Sequence, residues 1–231
     1  MTSQFTERES GFHWLEGEWG WPSKFSSHSY FLKGETRSVL IDPGCSTHRV
    51  GLETFFPKEQ SPDMIVVTHE HWDHVCAVDF FPKAEKACSR NGLRALNRKD
   101  DDVIHHEQRG EKLVSKFTRG LEDGDVIELG KFKLEILLTP GHTAGSLCVY
   151  EPERKWLFTG DSLFSPPMLS GIFESGSRAE HIHSLERLFL LAKKRGVDMI
   201  YPGHGAFIEG RPDCLDAIAE TLERAKEDIR S

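Results

Sequence analysis

The segment that decides the reading runs Met64-Ile65-Val66-Val67-Thr68-His69-Glu70-His71-Trp72-Asp73-His74. Its first four residues are apolar and rich in Val and Ile, which reads as a buried strand. Directly past the strand stand three histidines and an aspartate. In an extended or irregular loop side chains alternate in direction, so His69, His71 and Asp73 project to one side and His74 to the other. Imidazole and carboxylate are the donors that hold zinc, iron or manganese. A lone histidine is more often structural. This density at a strand end points instead to metal binding, with His74 suited to a second ion.

Working outward, four further apolar runs end in polar turns. They are Ser38-Val39-Leu40-Ile41-Asp42, Lys131 to Leu138 followed by Thr139-Pro140-Gly141-His142, Trp156-Leu157-Phe158-Thr159-Gly160-Asp161, and Asp198-Met199-Ile200-Tyr201-Pro202-Gly203-His204. All read as strands, and polar residues just past strand ends are where α/β sheets build their sites. Helical patterning lies between and after them. Val50, Leu52, Phe55 and Phe56 suggest a short helix. Ile182, Leu185, Leu188, Phe189 and Ala192 recur at three- and four-residue steps from Ala179 to Arg195, with Gly196 as the stop. Leu215, Ile218, Leu222, Ala225 and Ile229 give residues 212–230 one apolar face, with Pro212 and Asp213 near its start. The charged stretch from Asn97 to Asp125 reads as surface loop with at most a short helix. No linker, repeat or low-complexity tract divides residues 1–231, so one α/β domain is expected.

Composition narrows the function classes. The chain has 231 residues, ample for a buried core, and a formal net charge of −8 from 37 acidic and 29 basic side chains. That balance argues against general nucleic-acid binding. No stretch approaches the ~20 apolar residues of a membrane span, and the polar start Met1 to Ser10 does not resemble a secretory signal. Five cysteines, at 45, 76, 88, 148 and 214, are scattered and form no C-x-x-C, so reduced thiols and a cytoplasmic location are expected. Of 12 histidines, those at 69, 71, 74, 142 and 204 lie at strand ends. The others, at 13, 28, 48, 105, 106, 181 and 183, read as background, with His105 and His106 solvated in the charged stretch.

The order H-x-H-x-D-H, then His, Asp and His on separate loops, resembles the metallo-β-lactamase-fold superfamily from about Tyr30 to Gly205. The resemblance implies a four-layer αβ/βα sandwich, with helices outside two packed sheets and two divalent metal ions at the sheet edge. Zinc is the first expectation, iron or manganese the next. By that pattern one metal takes His69, His71 and His142, the other takes Asp73, His74 and His204, and Asp161 bridges them. Asp42 would orient the ligand loop from behind. Cations in such a site acidify water and polarise a carbonyl, which suits thioesters first, then esters and lactones. Asp73 would orient the attacking water and pass a proton to the leaving group.

Departures from the pattern prune the branches. Asp161 stands where β-lactamases with a cysteine ligand carry that cysteine. The oxygen-reducing di-iron branch usually has Glu where His71 stands and needs a flavin domain. Quorum-signal lactonases usually place a tyrosine three residues past the bridging aspartate, where this chain has Phe164. Thr159-Gly160-Asp161-Ser162-Leu163-Phe164 is similar to glyoxalase-II-type thioester hydrolases. Where that branch continues with a Gly-rich basic stretch and a C-terminal helical domain, this sequence gives Ser165-Pro166-Pro167-Met168-Leu169-Ser170-Gly171-Ile172-Phe173 and one last helix. The reading is a hydrolase of thioesters or activated esters of small molecules, with no nucleic-acid or membrane partner. The alternatives are a lactonase, a mononuclear-iron persulfide dioxygenase, and a nuclease or phosphodiesterase. Trp72, Phe164, Pro167, Met168 and Phe173 are the pocket candidates. The first ~25 residues, with Trp14, Trp19, Trp21 and Phe25, form either a hairpin overhanging the metals or plain packing. Oligomeric state stays open, a homodimer included.

Overall fold

In a computed structural model that describes residues 4–20, 24–57, 60–165, 169–173 and 175–230, the apolar runs pair into two large sheets. β1 (Thr6–Glu9) and β2 (Phe12–Leu15) form a hairpin, followed by a small separate one of β3 (Trp19–Gly20) and β4 (Lys24–Phe25). Next come β5 (Ser29–Lys33), β6 (Ser38–Ile41), β7 (Met64–Val66), β8 (Glu85–Ser89) and β9 (Arg119–Leu121). The first sheet has the order β1-β2-β5-β6-β7-β8-β9, with β6 to β9 parallel. The second contains β10 (Val126–Glu128), β11 (Lys133–Leu138), β12 (Leu147–Glu151), β13 (Trp156–Gly160), β14 (Met199–Pro202) and β15 (Ile208–Glu209) in sequence order. β13 and β14 are parallel and the rest antiparallel. The helices are α1 (Arg49–Phe55), α2 (Trp72–Val75), α3 (Arg90–Arg98), α4 (Asp101–Ile104), α5 (Arg178–Arg195) and α6 (Arg211–Asp228).

Strand alternation sorts the side chains into layers. Val39 and Ile41 of β6 and Met64 and Val66 of β7 face inward and meet Leu134, Ile136, Val149 and Phe158 of the second sheet. Leu40 and Ile65 point outward onto Leu52 of α1, Val75 of α2, Leu96 of α3 and Ile104 of α4. On the other side, Leu157 and Ile200 meet Leu185 and Leu188 of α5 and Ile218 and Leu222 of α6. This is the expected four-layer αβ/βα sandwich. The central strands are apolar without interruption because both of their faces are covered.

The long helices start and stop as their sequences dictate. Ser177 caps α5 by accepting the Glu180 amide, and Gly196, at φ +87°, ends it. Pro212 sits in the first turn of α6. The stretch from Asn97 to Asp125 is a correction: it holds the end of α3, all of α4, and β9 at the sheet edge. β9 buries Leu121 alone of its three residues, so it has no alternation to read. At the N-terminus, β1 and β2 extend the first sheet, and Phe12 and Leu15 are buried. Among the described residues no helix is long and apolar enough to cross a membrane, and the five cysteines are free and buried.

Candidate metal centre

Backbone and side-chain bonds gather five strand ends at one edge of the sandwich. Thr68, just past β7, accepts the Leu147 amide through its carbonyl (2.8 Å), which sets the His142 loop beside His69. Asp42 follows β6 in a left-handed conformation, φ +49°. Its Oδ1 accepts the Thr68 amide (2.7 Å), and its Oδ2 accepts the Thr68 hydroxyl (2.7 Å) and lies 2.9 Å from His74 Nδ1. Asp161 is delivered by Gly160, where a Cβ would overlap the Thr68 hydroxyl. Gly203 similarly lets His204 approach, since a Cβ there would overlap Asp161 Oδ1.

Three donor groups result: His69, His71 and His142; His69, His74 and Asp161; and Asp73, His74 and His204. Within each, the candidate ligand atoms lie within 4.8 Å of one another. His71 Nδ1 is 3.0 Å from both His69 Nε2 and His142 Nε2. A single lone pair cannot serve both neighbours well, so this convergence of ring nitrogens fits a shared cation. His74 Nε2 is 3.3 Å from His204 Nε2, and Asp73 Oδ2 is 2.9 Å from that same His204 nitrogen. Asp161 lies between the trios, with Oδ1 3.2 Å from His74 Nε2 and Oδ2 3.6 Å from His142 Nε2. Five imidazoles and two carboxylates in this arrangement are a donor set for divalent cations.

One expectation about direction fails. Asp73 sides with His74 and His204, not with His69 and His71. The chain is extended only as far as His71, at ψ 146°, and Trp72–Val75 is a helical turn, so period-two alternation ends there.

Burial and charge treat the two trios differently. Burial pushes His69 well below the usual imidazole pKa and His71 down to about 3, and it lowers His142 too, so these rings are neutral. Burial also opposes charge on His74, but the carboxylates of Asp161, Asp42 and Asp73 outweigh it and raise its pKa well above the usual value. For Asp73 and Asp161 burial favours the protonated form. His74 and His204 overrule it and hold both carboxyls below their ordinary range.

Residues behind the candidate ligands fix their orientation. His142 Nδ1 lies 2.8 Å from the Gly171 carbonyl and donates to it, which leaves Nε2 facing inward. His28, read as background, pins the His204 loop on both sides. Its amide donates to the Gly203 carbonyl (2.7 Å), Nε2 donates to the Gly205 carbonyl (2.7 Å), and Nδ1 accepts the Gly17 amide (2.8 Å). His181, also read as background, is buried with Nε2 2.9 Å from the Ser162 carbonyl, beside Asp161. No motif marks either residue, because their partners are distant in sequence.

A pocket of about 200 Å³ opens on His71, Asp73, His142 and Asp161, with Phe25, Trp72, Phe173, His105 and Arg109 as walls. Of the pocket candidates read from the sequence, Trp72 and Phe173 line this cavity. Phe164 is buried, its ring 6.2 Å from that of His204. Pro167 and Met168 lie outside the described residues. Solvation of His105 and His106 is corrected: the His105 ring is half-buried 5.7 Å from that of His71, and His106 is buried with Nδ1 2.6 Å from Asp101. The buried Ile104 anchors this segment, with exposed charges on both sides of it, Asp102 before and Glu107 after. Of the N-terminal aromatics, Phe25 reaches the site, 4.6 Å from the His204 ring, while Trp14 packs on Phe207 (4.6 Å). Trp21 and the Trp19 side chain lie outside the described residues.

A family model described as the metallo-beta-lactamase superfamily matches residues 23–204. The chain belongs to the metallo-beta-lactamase superfamily. Among curated members it is 26% identical over 217 residues to an acyl-coenzyme A thioesterase of Gallus gallus, covering 84% of this chain and 78% of the relative. It is 31% identical over 194 residues to a probable metallo-hydrolase of Methanocaldococcus jannaschii, covering 78% and 88%. A hydroxyacylglutathione hydrolase of Brucella ovis is 33% identical over 142 residues, which are 62% of this chain and 48% of that enzyme. Among solved structures, a metallo-beta-lactamase family protein of Thermus thermophilus superposes with a TM-score of 0.77 at 22% identity, over 95% of this chain and 80% of its own. TTHA1623 in a di-iron-bound form gives 0.68 at 26% identity, over 87% and 94%. Superfamily membership makes the chain an enzyme of a hydrolytic family whose His and Asp clusters suit divalent metal ions.

Proposed function

We propose that this superfamily member is a dinuclear-metal hydrolase that cleaves thioesters or activated esters of small molecules. The observation that carries the reading is Asp161, with one oxygen toward each donor trio at the floor of a pocket. His69, His71 and His142 would hold one cation, Asp73, His74 and His204 the other, and Asp161 would bridge. Bound divalent cations would supply Lewis acidity and bring the pKa of water to near neutrality. Asp73 lines the pocket and is held ionised by His74 and His204, so its carboxylate can orient a water and carry a proton to the departing group. Phe25, Trp72 and Phe173 offer an apolar wall to an acyl group.

Thiolates leave more readily than alkoxides, which favours thioesters, and the names of the Gallus and Brucella relatives support that class. The match to the Brucella enzyme spans about half of its length, so its glutathione conjugate does not transfer. Zinc is the metal we propose first, and the di-iron form of TTHA1623 supports iron as its rival, with manganese third. Five free, buried thiols fit a reducing compartment and support a cytoplasmic location. The acidic balance supports small molecules over nucleic acid as partners.

The test is turnover by protein loaded with zinc, iron or manganese against a panel of acyl thioesters, with lactones in parallel. Metal-dependent thioester cleavage that a chelator abolishes is the expected result. Lactone turnover without thioester turnover would replace the reading with a lactonase. One iron per chain with persulfide-dependent oxygen uptake would replace it with a dioxygenase.

A further inference from the structure

Glu70 stands between two ligand histidines, yet its side chain belongs to a different environment. It is 2% exposed, and its Oε2 accepts the hydroxyl of Thr143 at 2.5 Å. Thr143 follows His142 directly and is itself tied to Ser146, whose Oγ lies 3.0 Å from its hydroxyl and accepts its amide at 3.1 Å. Two glycines leave room for the carboxylate. A Cβ at Gly145 would overlap Glu70 Oε1, and one at Gly92 would lie 3.3 Å from it. The carboxyl is therefore enclosed by the His142 loop on one side and the first turn of α3 on the other. Burying a carboxyl is costly unless its bonds are used, and an apolar side chain would fill the same space without that cost.

We propose that Glu70 is a positioning residue that locks the His142 loop against the His69–His71 loop, and so sets the cation affinity of the first trio but not the second. The proposal rests on the metal-centre reading. The loops it joins carry the three ligands of the first trio and bring their nitrogens to 3.0 Å. The second trio draws His204 from a loop held instead by His28. Without Glu70 the Leu147 amide still bonds the Thr68 carbonyl, so the sheets stay docked while the His142 loop gains freedom.

The experiment is zinc competition against a chromophoric chelator in two backgrounds. His204→Ala leaves the first trio complete, and His142→Ala leaves the second. Glu70→Ala and Thr143→Val should each weaken zinc roughly 10- to 100-fold in the first background, as loss of partners behind a ligand commonly does, and leave the second unmoved. Gly145→Ala, whose methyl displaces the carboxylate, should act in the same direction. Glu70→Gln keeps the shape and an acceptor oxygen and should recover most of the affinity, which a general loss of folding would not allow. If Glu70→Ala fails to fold, Thr143→Val carries the test with the loss of one hydroxyl. Equal weakening in both backgrounds, or unchanged affinity in the first, overturns the role of Glu70. A parent chain that binds no zinc, iron or manganese overturns the metal-centre reading and this proposal together.

Discussion

The two donor trios share one short loop and differ in charge and support. His69, His71 and His142 are imidazoles kept neutral by burial, and they converge on space with no charge of their own. Asp73, His74 and His204 include a carboxylate 3.7 Å from an imidazole whose pKa is raised by three carboxylates. Without a cation, the second trio compensates itself through ion pairs, whereas the first depends on loops held at the right distance. The difference shows that one site can be built from two kinds of preorganisation, electrostatic on one side and geometric on the other. Asp161 joins them.

Its removal is the strongest break of the comparison. Asp161→Ala takes an oxygen from each trio, so both metals should weaken, and turnover should fall on the order of a thousandfold. Metal content by elemental analysis, beside steady-state hydrolysis, checks this. Retention of two tightly held metals would end the bridging assignment. Asp42→Asn is a narrower break. It withdraws the charge facing His74 Nδ1 and disturbs the bonds from Thr68. Affinity of the second trio should drop roughly 10- to 100-fold while the first is spared. Equal losses in the same chelator competition would mean that the trios are not separable.

Acid should sharpen the contrast in metal-free protein, because His28 holds only the second trio's loop. Burial depresses His28 from 6.5 to about 4. Above pH 6.5 it is neutral folded and unfolded, and its contribution to stability is complete. As pH falls from 6.5 toward 4 the unfolded chain takes up a proton that the folded chain refuses. Stability is then lost at up to about 1.4 kcal/mol per pH unit for this group. His48 and His181, also depressed to about 4, act in the same direction. His28→Gln should start less stable at pH 7 and lose stability more shallowly on acidification, by about one proton in a urea-unfolding series. An unchanged slope would show that His28 is not protonated on unfolding.

How much of this the sequence discloses depends on how local the cause is. The candidate ligands at 69, 71, 74, 142, 161 and 204 follow apolar runs that are strands because both faces are covered, so strand and candidate are read together. α5 and α6 announce themselves by apolar spacing and by Gly196 and Pro212 at their ends. β9 and β1 do not, since edge strands of three and four residues bury little. The partition of Asp73 escapes the loop reading because a helical turn begins at Trp72, fixed by the packing of Val75 and by the distant Ser27 amide on the Asp73 carbonyl. Glu70 and His28 are invisible for a different reason. Each acts through partners 73 or more than 170 residues away, Thr143 and Gly205, and a single chain gives no sign of such pairings. His105 is hidden by its charged neighbours, though the buried Ile104 beside it is the local signal that this segment returns to the core.

The smallest expected effect asks which trio faces the acyl group. Phe173 is 42% exposed and stands edge-on to His71 and His142, at 4.7 and 5.2 Å, so its wall belongs to the first trio. Phe25 lies on His204 and belongs to the second. An acyl chain on Phe173 would remove part of that exposed ring from water, an effect of about 1 kcal/mol. Phe173→Ala should therefore raise KM for longer acyl thioesters several-fold with kcat nearly unchanged, the signature of lost uniform binding. Phe25→Ala removes a ring packed against His204 and should lower kcat for every acyl length alike. A KM increase that follows acyl length in Phe25→Ala and not in Phe173→Ala would reverse the orientation, placing the acyl group over the second trio and the leaving thiol over the first.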